Sequence, residues 1–336
     1  MKVKTIAVVK YILVLGIGIG MLWLAFKGVS LENTIHEIAK ANFFWLAVSI
    51  FVSLIAFYSR ALRWNMLIEP LGYKPSPMNT SASLMIGYLA NLAVPRLGEV
   101  TRCGSLSNAE KIPFDSLLGT VIIERIIDVI CLLLLIVLVA ILEFERLGNF
   151  LNDNIYIPLT NKLSVIYNHP FITLTIAIAL AGLIYFLLKR NNKAGGITEK
   201  ISKLAKGVLG GIDTVRKLKN PVGFILHTIL IWTMYFLMSY LCFFSLEATA
   251  HLSWEAGLFV LVVGGMGMSA PVQGGIGAYH LLVSQGLVLY GVTPEHGITF
   301  ATLMHTSQTV VVIVLGGFSF LYLFLKKRNA TEIKHT

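Results

Sequence analysis

The sequence predicts an all-α polytopic membrane protein, with six full transmembrane helices and two re-entrant hairpins arranged as an inverted-topology repeat. Three observations carry this. The 336-residue chain is 56% hydrophobic and only 13% charged, with a mean hydropathy of +0.77, far more apolar surface than a soluble core could hide. An unusual phrase, P-x-x-G-[EG]-[VI], occurs at Pro95–Val100 and again 176 residues later at Pro271–Ile276. Finally, the loop charges demand that these two segments enter and leave the membrane from opposite faces.

Apolar runs long enough to cross a bilayer, at ~20 residues each, cover residues 5–26, 43–64, 117–142, 171–188, 224–244 and 298–325. Lys2, Lys4 and Lys10 before the first run resemble a signal peptide, but the run is long for one and no A-x-A site follows, so it is read as a span. Two shorter stretches, 81–94 and 258–290, are interrupted by Pro and Gly. Broken backbone at membrane depth is tolerated only inside protein or beside a water-filled cavity, and paired breaks in two halves of a chain point to a transport site.

Direction follows from basic residues. The segment 189–219 carries nine Lys and Arg against Glu199 and Asp213, so it is cytoplasmic, as are both termini; the connection 143–170, with Glu143, Glu145 and Asp153, is external. The second span must then arrive inside near Arg60 and Arg63 while the third departs from inside, so the segment holding Pro95 re-enters from the cytoplasm. By the same count the segment holding Pro271 re-enters from outside. Shifting by 176 carries the second span onto the fifth, the third onto the last, and the amphipathic stretch 30–40 onto 206–216. The chain is therefore read as one membrane domain, 1–336, with a first repeat in 1–142 and a second in 171–328. The net charge of +10 belongs to orientation and anionic lipid, and no nucleic-acid partner is implied.

Candidate functional residues cluster at the breaks and in the third span. Glu124, Arg125 and Asp128 lie about 10 Å into that span, where ionisable groups mark a pathway, a proton relay or a self-neutralising structural cluster. The first break adds Arg96, Glu99 and Arg102. Arg96 and Arg102 suit a lipid phosphate, or they pair with the nearby carboxylates, which is the stronger reading for Arg102. The second break is neutral: Gln273 can donate and accept, Gly274, Gly275 and Gly277 permit close backbone approach, and His280 titrates. His280 and His305 are each readable as packing residues. Gly264, Gly265, Gly267, Gly316 and Gly317 read as close helix packing. Cys103, Cys131 and Cys242 suggest neither disulfide nor metal, and no P-loop, H-E-x-x-H, C-x-x-C or G-x-S-x-G is present, so neither a cofactor nor an enzyme is expected.

The run Asn91–Arg102, then Glu124-Arg125 and Asp128, then Pro271-x-x-Gly274-Gly275-Ile276-Gly277, resembles the transmembrane family of lysylphosphatidylglycerol synthase. In bifunctional relatives this module precedes a cytosolic aminoacyltransferase domain. Here the chain stops eleven residues after Leu325, so that domain is expected to be absent. The resemblance implies a flippase-like translocase for a membrane phospholipid or lipid-linked glycan in the cytoplasmic membrane, as a monomer or homodimer, beside a separate lipid-modifying enzyme. Its rivals are a secondary transporter of a small polar solute, an accessory subunit or intramembrane enzyme of a glycolipid or aminoacyl-lipid pathway, and a regulatory scaffold.

Overall fold

The structure is a computed structural model that describes residues 2–151, 157 and 218–332. Helices dominate, and no strand occurs among the described residues. In chain order they are α1 (Lys2–Phe26), α2 (Leu31–Ala39), α3 (Phe43–Ile68), α4 (Pro77–Ala93), α5 (Leu97–Glu110), α6 (Phe114–Leu142), α7 (Phe144–Leu151), α8 (Pro221–Phe243), α9 (Trp254–Ser269), α10 (Ala278–Val288) and α11 (Pro294–Glu332), with a 3-10 turn at Gln273–Gly275. Four of them, α3, α6, α8 and α11, are long and apolar enough to cross a membrane, and α1 with α2 makes a fifth candidate bent by 82°. The expected span at 171–188 and most of the basic segment after it, including 206–216, lie outside the described residues.

Local chemistry sets the boundaries. The Ser30 hydroxyl accepts from the Asn33 N–H at 3.3 Å to cap α2, and Asn42 caps α3 at the Phe44 N–H, 3.1 Å away. Asn220 accepts from the Gly223 N–H at 2.8 Å, with Pro221 in the first turn of α8 where its missing donor costs nothing. Asn220→Ala is expected to lower stability by about 1 kcal/mol, read as a small fall in melting temperature in detergent.

Each break separates two helices that fold back on one another. In the first pair, Gly87 of α4 lies against Gly98 of α5, and the Gly98 N–H donates to the Asn91 side-chain oxygen at 2.7 Å. In the second, a Cβ at Gly267 would come within 2.7 Å of the Tyr279 Cα, so only hydrogen lets α9 and α10 approach. Lipid offers no hydrophobic drive for such contacts; close packing and polar links between helices supply it. Gly264 and Gly316 serve in the same way, whereas Gly317, expected to do so, faces open space. Ser49 donates to the Met238 carbonyl at 2.8 Å, and Ser59 meets His227 Nδ1 at 2.8 Å, both tying α3 to α8.

Side-chain contacts sort the helix ends into two levels. At one level Asn33 and Glu37 of α2 meet Glu295 and His296 at the start of α11, the Asn42 N–H meets the Ser245 carbonyl, and Arg146 lies over the Tyr290 ring. At the other, Asn79 receives the Tyr322 hydroxyl and the Lys326 ammonium of α11 and itself donates to Glu110. The open ends of α4 and α5 are thus on the second level, and those of α9 and α10 on the first.

Packing is doubled as well. α3 and α8 form the central pair, α4 packs on α3 as α9 packs on α8, α5 packs on α6 as α10 packs on α11, and α4 leans on α11 as α9 leans on α6. The main core cluster joins α3, α8, α9, α10 and α11 around Phe243, Val283 and Phe300. A second surrounds Trp64 and joins α3, α5 and α6.

Candidate functional site

Charged residues on three helices converge inside the first half. α3 presents Arg60 and Arg63 one turn apart, α6 presents Glu124 and Asp128 one turn apart, and α5 brings Arg102. Arg60 Nε donates to Glu124 Oε1 at 2.8 Å while its Nη2 lies 2.9 Å from Asp128 Oδ2. Arg63 Nη2 is 2.6 Å from Asp128 Oδ1, and Arg102 Nη1 is 3.0 Å from Glu124 Oε2. The Arg102 guanidinium also lies 4.6 Å from the Trp64 ring, whose indole N–H donates to Thr120 at 2.8 Å. Glu124 and Arg63 side chains are 0% exposed, so the centre of this network is buried and its two carboxylates are each held by at least two guanidiniums.

Beside it lies a cavity of about 550 Å³. Arg60, Tyr88, Asn91, Arg96, Glu99 and Arg125 line it from the first half; Tyr235, Gly274, Gly275, His305 and Gln308 line it from the second. The two sequence breaks therefore meet at one cavity. They also touch: a Cβ on Gly274, whose φ is +55°, would fall 2.8 Å from Leu92 Cδ2, a placement and a conformation that both call for glycine. Arg96 sits in the left-handed region at φ 62°, where non-glycine residues are uncommon and cluster at functional sites. Arg96 is exposed, and no acidic side chain among the described residues pairs with it. Arg125 pairs with Glu99 at 3.0 Å, more closely than with Asp128, three residues on, at 3.9 Å. Five guanidiniums (Arg60, Arg63, Arg96, Arg102, Arg125) against three carboxylates (Glu99, Glu124, Asp128) leave two positive charges in excess beside the cavity.

The residues expected from sequence thus divide. Arg96, Glu99, Arg125, Gly274 and Gly275 line the cavity. Glu124 and Asp128 stand behind it, in the network. Arg102 is buried on Glu124, because α5 is a helix that turns it inward, and it does not line the cavity. Gln273 is buried beside α1, and Gly277, at φ +82°, packs against the Gly18 carbonyl and the Leu22 N–H. His280 is joined to the cavity through His305, 4.8 Å away between ring centroids. Arg60 and Arg63, read as charges at a span's inner end, belong to the network. Their depth was a usable signal: Arg60 lies eight residues, about 12 Å, before the end of α3 at Ile68.

The sequence model of the lysylphosphatidylglycerol synthase TM region matches residues 11–316. The chain belongs to this family. It is a multi-pass membrane protein of the lysylphosphatidylglycerol synthase TM-region family, and the match covers both breaks and the charged network. A UPF0104 membrane protein of Methanocaldococcus jannaschii is 25% identical over 103 residues, 30% of this chain and 31% of that protein. The similarity therefore spans about a third of the curated relative. No solved structure matches the chain.

Proposed function

We propose that the protein is a lipid translocase that carries an anionic or glycosylated headgroup across the cytoplasmic membrane while the acyl chains stay in lipid, and that it is not an enzyme. The observation that carries this reading is the meeting of two helix breaks, opened from opposite levels, at one cavity with excess positive charge and an Arg96 that pairs with no acidic side chain among the described residues. We read α4–α5 and α9–α10 as re-entrant hairpins and the two halves as an inverted repeat around six spans, with both termini cytoplasmic. The sorted helix ends and the doubled packing support that reading. In such folds substrate sites lie where the repeats meet.

A cavity wall that is both apolar and cationic suits a lipid better than a small polar solute. Met268 and Val272 line the cavity together with Arg96, and Val94, Leu97 and Met266, next to the breaks in sequence, are exposed. A molecule with a polar head and apolar tails matches both chemistries. Purified protein in liposomes with labelled anionic, zwitterionic and glycosylated lipids should exchange one class between leaflets. Arg96→Ala removes a charge-assisted contact worth about 1.5–3 kcal/mol and should slow that exchange tenfold or more. Exchange of no lipid above protein-free vesicles overturns the proposal.

A further inference from the structure

We infer that the imidazole pair His280–His305 is a proton-binding site whose occupancy is coupled to the anionic headgroup, so that the lipid moves with a proton. The inference rests on the translocase reading and concerns what drives it. Glu124, Asp128 and His280 are the proton carriers the sequence offers, but the two carboxylates are each engaged by two or more guanidiniums at 2.6–3.0 Å. Both carboxylates are therefore committed to ion pairs within the network.

The second half holds a different arrangement. His305 lines the cavity, and its Nε2 lies 2.8 Å from the Gly274 carbonyl. A carbonyl only accepts, so Nε2 carries the hydrogen and Nδ1 is the basic nitrogen. His280, ring centroid 4.8 Å from that of His305, is buried, and its Nδ1 has no hydrogen-bond partner. The pair therefore offers two basic nitrogens and is tied by a hydrogen bond to the second break, the element that would move in transport.

Among the described residues no carboxylate pairs with either ring, and the carboxylate that lines the cavity, Glu99, is ion-paired with Arg125. Tyr279, 5.2 Å from His305 between centroids, and Tyr88 of α4 are the neighbouring titratable groups. α9 carries only Glu255, in its first turn, and α11 has Glu295 and His296 in its own. The α1 residues that meet this region, Gly18 to Leu22, are uncharged. Across the cavity Arg60, Arg96 and Arg125 are cationic, and Glu99 is held by Arg125. A protonated imidazole here lacks a counter-ion until a phosphate enters, and burying a charge unpaired is costly. Anion and proton thus each raise the affinity of the other by one factor, on the order of tenfold to a hundredfold, as linkage requires.

The test is proton uptake on binding. Dihexanoyl phosphatidylglycerol, a phosphodiester that does not itself titrate near neutrality, is added to the full-length protein in nanodiscs at about pH 6. Calorimetry in two buffers of different ionisation enthalpy counts the protons. We expect about one proton taken up per lipid in the wild type, abolished in His305→Gln, which keeps a donor for the Gly274 carbonyl, and reduced in His280→Gln. Binding without uptake, or uptake retained in both variants, overturns the coupling and leaves the translocase reading intact. Absence of binding at any pH, for this lipid and for dihexanoyl phosphatidylinositol, overturns both.

Discussion

Replacing Glu124 with alanine is expected to lower the stability of the protein by about 3–5 kcal/mol, the largest effect of any single charge removal. Its two oxygens meet Arg60 at 2.7 Å, Arg102 at 3.0 Å and Arg63 at 3.6 Å, with none of the carboxylate exposed. Alanine leaves three guanidiniums converging on an empty, desolvated space, retaining only Asp128 to answer Arg60 and Arg63. Arg102 then has the Trp64 ring alone. The loss comes from unpaired buried charge, so Glu124→Gln, which keeps the volume and one acceptor, should fall between wild type and Glu124→Ala. Arg125→Ala provides the contrast: its side chain is 40% exposed, and a pair that open to solvent contributes about 1 kcal/mol or less. Thermal unfolding in detergent or nanodiscs orders the three variants. Equal melting temperatures for Glu124→Ala and Arg125→Ala would show that the network is not the buried lock described.

Gly98→Ala is expected to prevent the first pair of helices from closing. The added methyl would occupy the position of the Gly87 carbonyl oxygen and of the Asn91 amide, which stands 2.6 Å away. Both neighbours are fixed, one as helix backbone and one by its own hydrogen bond to the Gly98 N–H. Relief requires α4 and α5 to separate, which would expose the break and dismantle the cavity wall. A loss of about 4 kcal/mol or more, the range reserved for overpacking or a broken network, should appear as poor expression or a much lower melting temperature. Gly104→Ala on the same helix meets nothing within 4 Å and should gain about 0.5–1 kcal/mol from the unfolded chain's lost freedom. The pair of variants separates packing from helix propensity within one element.

Most of the helical framework was legible in the sequence because a bilayer imposes a length and a polarity on each span. Pro95 and Pro271 were legible for the opposite reason, as residues that end helices where apolar sequence would continue them. Individual ion pairs were harder. With the second span ended at Trp64, Arg60 and Arg63 look like residues of the cytoplasmic boundary. In the structure α3 continues to Ile68 and a 3-10 turn follows, so both arginines lie well inside the helix and face α6. For Arg102 the stronger reading was pairing with a carboxylate, but which of Glu99, Glu124 and Asp128 it meets depends on how α5 packs on α6, and in the structure it is Glu124. His305 is one polar residue in a helix of 39, and its bond to the Gly274 carbonyl joins residues that no local pattern connects.

All five arginines and three carboxylates around the cavity come from residues 60–128, while the second half answers with phenol, amide, imidazole and backbone. Two chemically identical halves would leave the molecule indifferent to which side it faced. With charge confined to one half, the two orientations of a translocase of the proposed kind differ in energy. Such a molecule has a preferred resting posture, set by the half that carries the arginines.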